Sequence, residues 1–303
     1  MRALARYILS GPMQAVFVVF GFAVLSLAFP FMILFSGAAL ALVTMQLGLA
    51  QSVKVLLISA ALIFLGSYFL QGSISIGPFY AWAAVIMVAM VYRNTKSLSL
   101  SIQLLTIIGL VAVSLVAVLF PDLQTHWHNF MQNAFKAFEK DAALQAMMQG
   151  DRLSPERLEK YIPIIASVMT GILVSLFVLS TSITVFLARQ WYGFQENTRS
   201  FREEFVALSL GKVLAGLAIV LLVAALVFKY AILWQLALVC LSIFSLQGMA
   251  IVHAFLGQFS NASFGFILVY GLLFIAAPHM VLTLSTLGLV DSFFDFRKRI
   301  LKT

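Results

Sequence analysis

No aspartate or glutamate occurs before Asp122, and the 303 residues carry only 11 acids against 19 lysines and arginines. Charged residues make up 10% of the chain, where soluble domains have about 25%. With 62% hydrophobic residues and a mean hydropathy of +1.05, a soluble fold of this length could not enclose its own apolar surface. Cys240 is the only cysteine and lies in an apolar run, so an intrachain disulfide is excluded and a small buried apolar group is expected. His126 and His128 are two apart and would point different ways on a helix, which makes a poor metal pair. No GxxxxGK[ST], HExxH, GxSxG or CxxC pattern occurs, so neither a nucleotide loop, a metal nor a cofactor is expected, and no motif points to an enzyme. The formal charge of +8 invites a nucleic-acid reading, but the cations sit mostly in short loops and at the ends, and no nucleic-acid motif is present. Carboxylates are missing from the apolar interiors, which argues against a proton relay.

What remains is long apolar runs without period-2 alternation. These predict an all-α polytopic transmembrane bundle rather than a barrel, forming one integral membrane domain over 1–303. Nine apolar segments can be drawn, at about 8–28, 31–50, 53–71, 79–92, 99–120, 161–191, 207–228, 231–255 and 264–290. Pro278 interrupts the last, which is expected to be broken or re-entrant. Residues 121–160 form a polar excursion in which Trp127, Phe130, Met131, Ala134, Phe138 and Leu144 recur near helical spacing, as in an amphipathic helix that lies at the membrane interface or packs on the protein's own surface. Ser154 and Pro155 then make a helix start, and Pro163 is a candidate kink.

The densest mixed charge falls between two apolar runs, in a loop at about 189–207 that continues to Lys212. Ser200 with Glu203 has capping-box spacing, so a helix should begin inside the loop and run on into the next span. Placing Arg2 and Arg6 in the cytoplasm puts Lys54, Arg93, Lys96 and the 189–212 loop there too, as the positive-inside rule asks. Nine simple crossings would leave the basic tail FRKRILKT outside. A broken last segment returns it to the cytoplasm, which is the expectation we adopt.

Candidate ligand-binding groups are Gln235, Ser242 and His253, which share one face of the eighth segment, and His279 beside the Pro278 break. Helix-to-helix hydrogen bonding is the alternative for the first three. Candidates for docking a partner or a lipid headgroup are Arg199, Arg202 and Glu204 in the loop, and Asp291 and Arg297 near the tail. Asp291 is expected to reach Arg199 or Arg202, and Asp295 to pair with Arg299.

Four stretches carry a family resemblance: ARQWYGFQENTRSFREEFVALSLGK at 188–212, VYRNTKSLSLSIQLL at 91–105, LQGMAIVHAFL at 246–256 and LGLVDSFFDFRKR at 287–299. Together they resemble the YybS-like family of bacterial membrane proteins. That family is in turn distantly similar to the substrate-binding membrane subunits of energy-coupling-factor transporters. The resemblance implies a multi-pass protein of the bacterial inner membrane that binds a small molecule or lipid in transport fashion and has no ATPase of its own. The competing expectation is a non-catalytic scaffold that docks a protein partner on its cytosolic face through 189–212. Membrane lipids are partners under either.

Overall fold

The structure is a computed structural model and describes residues 1–71, 77–139, 155–194, 200–259 and 261–297. Among them it is all helix. α1 (Arg2–Leu9), α2 (Pro12–Leu25), α3 (Met32–Leu47), α4 (Leu49–Gln71), α5 (Gly77–Thr95) and α6 (Leu98–Leu119) precede the polar excursion, which supplies α7 (Leu123–Glu139). Then come α8 (Pro155–Gly193), the short α9 (Phe201–Val206), α10 (Gly211–Phe228), α11 (Ala231–Leu256), α12 (Ala262–Ile275) and α13 (Ala277–Phe294). Five of them, α4, α6, α8, α10 and α11, are long and apolar enough to cross a membrane, and α2, α3 and α12 are shorter apolar helices.

Local chemistry sets the boundaries. Pro12 begins α2, where its missing N–H costs nothing. Gly48 ends α3 at φ 90, a conformation that favours glycine. The Arg93 guanidinium lies against Gly48 and donates to the Thr44 carbonyl at 3.2 Å, so a cation caps the negative end of α3. Ser97 caps α6 by accepting from Leu100 N at 3.3 Å. The Ser154 cap lies outside the described residues. Helix α8 runs unbroken through Pro163, and at 1.5 Å per residue its 39 residues extend about 58 Å, against about 30 Å of hydrocarbon core. The surplus is where α7 packs, with Trp127 Nε1 donating to Thr170 Oγ1 at 3.0 Å. Helix α7, within the amphipathic excursion, therefore packs on its own protein.

Helix α11 is the centre of the bundle. Its apolar window is 67% buried, against 28% or less in the other four long spans. It packs most extensively on α13 and next on α8. Small residues permit that approach: a Cβ on Gly248 would strike the Leu284 carbonyl, and one on Gly288 the Phe244 carbonyl. Ser285 Oγ donates to the Leu241 carbonyl across the same seam.

The break near Pro278 is real. Helix α12 ends at Ile275 and α13 starts at Ala277 with proline in its first turn. Gly265 of α12 lies against Leu256 at the C-terminal end of α11, so α12 leaves from that end and α13 returns to it. One expected segment is thus two helices, and the parity conflict disappears. Arg2 stacks over Phe194 at 5.4 Å, Lys96 Nζ donates to Tyr192 Oη at 2.8 Å, and Arg297 donates to the Val206 and Leu208 carbonyls. The N-terminal helix, the α5–α6 turn, the end of α8 and the end of α13 therefore meet at one end of the bundle, which we call the basic end.

Candidate functional site

The basic end is built around a break. Helix α9 starts where expected, with Ser200 Oγ accepting from Glu203 N at 3.3 Å, but it ends at Val206 and does not run into the next span. Residues 207–210 are not α-helical, and α10 begins at Gly211 with φ +79. Beside a membrane, the backbone groups freed by such a break need protein partners. Four side chains supply them through five hydrogen bonds. Arg297 Nη1 donates to the carbonyls of Val206 at 2.9 Å and Leu208 at 2.6 Å. Ser209 N donates to Ser99 Oγ at 3.1 Å, and the Ser209 carbonyl accepts from Gln103 Nε2 at 3.4 Å. Leu210 N donates to Gln247 Oε1 at 2.9 Å.

Two ion pairs hold this arrangement from opposite sides, Asp291–Arg297 buried and Arg189–Glu204 with its carboxylate partly exposed. Arg189, at the end of α8, forms a two-pronged pair with Glu204 of α9, Nε to Oε2 at 2.9 Å and Nη2 to Oε1 at 2.8 Å. Tyr92 Oη donates to the same carboxylate at 3.2 Å, and the rings of Tyr92 and Tyr192 lie 5.6 and 5.5 Å from the guanidinium carbon. On the other side Arg297 Nη2 meets Asp291 Oδ2 at 2.8 Å. Gln247 Nε2 adds donations to Asp291 Oδ2 at 3.1 Å, Ser292 Oγ at 3.1 Å and the Gly288 carbonyl at 3.0 Å. Gln247 thereby ties α11, α13 and the start of α10 together. Removing one member of a buried pair leaves an uncompensated charge and costs about 3–5 kcal/mol.

Two clefts flank α9, with Glu203 and Ala207 lining both. One, of about 380 Å³, lies against Lys96–Ser99 and Glu204. The other, of about 900 Å³, lies between the α9–α10 segment and the end of α13. Ser209, Gly211, Lys212, Asp291, Asp295 and Arg297 line the larger one. Its volume is in the range of small-molecule sites, about 300–1,000 Å³. The Asp291–Arg297 pair is incompletely satisfied there. Asp291 Oδ1 and Arg297 Nε are both buried, and neither has a hydrogen-bond partner among the described residues.

The residues singled out from the sequence fall into two groups. Gln235, Ser242, His253 and His279 are not brought together. Gln235 Nε2 donates to the Ser167 carbonyl at 2.7 Å, joining α11 to α8. Ser242 is buried and donates to the Val239 carbonyl of its own helix at 2.8 Å. His253 pairs with Tyr270 Oη at 2.9 Å, between Phe205 and Phe266. It lies 18 residues from Gln235 along α11, about 27 Å. His279 is exposed at the start of α13. The shared helical face was correct arithmetic, but Gln235 and His253 bond different neighbouring helices and Ser242 bonds its own.

Of the charged candidates, Glu204, Asp291 and Arg297 flank the α9–α10 break, with different partners from those expected. Asp291 pairs with Arg297 rather than with Arg202, which is exposed near Gly257 at the end of α11. Glu204 pairs with Arg189 and, partly exposed, also lines the smaller cleft. Arg199 and Arg299 lie outside the described residues. Asp295 ends α13 in the left-handed region at φ 51. Sequence reasoning missed Arg189 and Gln247. Arg189 looks like an ordinary cation anchoring the end of an apolar run. Gln247 lies off the face shared by Gln235, Ser242 and His253, yet an amide deep in an apolar helix is itself a sign of a polar partner.

No curated protein and no solved structure matches the chain. One family model matches residues 15–292, nearly the whole chain, and its description is "Predicted membrane protein". The helical architecture agrees with that description: this is a multi-pass membrane protein in contact with lipid. The chain therefore belongs to the DUF2232 family of predicted membrane proteins.

Proposed function

We propose that the protein binds a polar small molecule or a lipid headgroup in the larger cleft at its basic end, and acts in transport or delivery without catalysis or an ATPase of its own. The observation that carries this reading is the roughly 900 Å³ cleft whose wall includes Asp291 and Arg297. The positive-inside rule favours the cytoplasm for the basic end, in a bacterial inner membrane, with Arg2 and Arg297 on that side. The resemblance to the substrate-binding subunits of energy-coupling-factor transporters supports binding without an internal energy source.

The reading moves the binding site away from the bundle centre, where Gln235, Ser242 and His253 were candidates. It is tested by native mass spectrometry of gently extracted protein. Wild type should retain a ligand that Ala207→Trp, a bulky change in the cleft wall, releases. Val220→Trp, on an exposed apolar face, should retain it. Equal retention in all three, or none in wild type, would count against the reading.

A second reading, an assembly scaffold, has one observation behind it. Because Glu203 and Ala207 line both clefts, α9 stands as a rib between two depressions, a shape suited to a protein partner. A stoichiometric protein captured by wild type and lost with changes to Arg202 and Glu203 would favour it.

A further inference from the structure

We infer that the α9–α10 break is a two-state joint, held open by a side-chain wedge and able to close into one helix from Phe201 to Phe228. This is independent of what the larger cleft holds. The first ground is the set of bonds the break lacks. A continuous α-helix would join Leu210 N to the Val206 carbonyl. Here side chains occupy both halves of that bond. Arg297 Nη1 donates to the Val206 carbonyl at 2.9 Å, and Gln247 Oε1 accepts from Leu210 N at 2.9 Å. The same two side chains share an acceptor, because Arg297 Nη2 and Gln247 Nε2 both donate to Asp291 Oδ2, at 2.8 and 3.1 Å. One linked group, Arg297–Asp291–Gln247, thus stands in the place of one helical hydrogen bond. Its neighbours are replaced in the same way. The Leu208 carbonyl accepts from Arg297 where a helix would offer Lys212 N, and Ser209 N donates to Ser99 Oγ instead of the Phe205 carbonyl.

The second ground is that the local sequence does not ask for a break. No glycine or proline occurs from the Ser200 cap to Leu210, and alanine and leucine are strong helix formers. The hinge is Gly211, at φ +79. A Cβ there would meet only Gln103 Nε2, at 3.8 Å, so the position needs glycine for its conformation and not for space. Glycine passes between the left-handed and right-handed regions at little cost. A conflict of this kind between local preference and tertiary structure marks a site where two packings lie close in energy. The buried Leu208 and Leu210 side chains and the Arg189–Glu204 pair weigh on the open side, which is therefore the resting state. The wedge itself is removable, because desolvation offsets much of a buried ion pair's attraction. Drawing Arg297 away is what releases the joint. Ala207 lines both clefts, and Ser209, Gly211 and Lys212 line the larger, so closure reshapes both.

Selective labelling of the full-length protein in nanodiscs tests this by NMR. Gly211–Lys212 is the only Gly-Lys step in the sequence, and no Ala-Lys step occurs. Carbon-13 glycine combined with nitrogen-15 lysine therefore gives one correlation that reads the backbone at position 211, and carbon-13 alanine does the same for Gly211→Ala. Two variants push the joint toward closure. Asp291→Asn/Arg297→Leu removes the wedge without stranding a charge. Gly211→Ala leaves the wedge intact and favours the closed form by roughly tenfold or more, since alanine resists positive φ and prefers helix. Wild type should give a single non-helical signal. The wedge variant should move to α-helical carbon shifts, and Gly211→Ala should show a helical signal beside or in place of the non-helical one. A helical signal in either variant supports the joint. Wild-type shifts in every variant that folds would overturn it and make the break rigid. Random-coil shifts would also overturn it, because the segment would then unravel instead of closing. Gly211→Ala decides alone if the wedge variant does not fold.

Discussion

Arg189 shows how one side chain can hold a membrane protein's end together. It sits at the edge of an apolar run, where a cation usually reaches out to water. Here it is fully buried and turns back to Glu204, fifteen residues later. Its removal strands a carboxylate beside Tyr92, so Arg189→Ala should cost about 3–5 kcal/mol, read as a loss of thermal or denaturant stability. Glu204→Gln should cost a comparable amount. The double variant should cost clearly less than the sum, because the two changes remove one shared interaction. Strict additivity would show that the pair is not formed. At this scale the sequence was half legible. Asp291 and Arg297 could be picked out as charges near an apolar run, but their mutual pairing could not. Six residues separate them, and the chain reverses into the left-handed region at Asp295 between them. No helical-face arithmetic anticipates that.

Elements were more legible than contacts. Apolar length and proline position gave the spans, and the Pro278 interruption appeared as the α12–α13 break. Ser200 marked the start of α9, because capping is local chemistry. The end of α9 was not visible: Ala207 to Leu210 contain no glycine or proline, and the break is held open by Arg297, Gln247, Ser99 and Gln103 from other helices. The α11–α13 seam depends on glycine at two positions. Gly248→Val and Gly288→Val each place carbon against a backbone carbonyl that cannot move aside as a side chain would. Each should destabilise by at least about 1–3 kcal/mol. Gly216→Ala, where a Cβ meets nothing within 4 Å, should be neutral or slightly stabilising. Unfolding in graded denaturing detergent compares the three. An equal response would mean that the seam is loosely packed.

The whole molecule is asymmetric from end to end. One end gathers Arg2, Arg93, Lys96, Arg189 and Arg297 in defined contacts, and the other carries the α7–α8 projection and Lys229. That asymmetry predicts orientation. Cys240 is buried, so single-cysteine labelling needs little preparation of the chain. Lys212→Cys should react with an impermeant maleimide only from the cytoplasm, and Lys229→Cys only from the opposite side. Reaction of both from one side would refute the helix directions described above. The activity was the least legible feature at this scale. The polar groups that looked like a ligand site are spent separately: Gln235 and His253 on neighbouring helices and Ser242 on its own helix. The cleft exists only because distant segments of α9, α10 and α13 meet. A cryo-EM map of the wild-type protein, extracted with its native lipids, tests the central claim most directly. The account predicts non-protein density in the cleft, touching the start of α10 at Lys212 and the Asp291–Arg297 pair. A well-resolved cleft containing only water, or closed by the protein's own side chains, would contradict it.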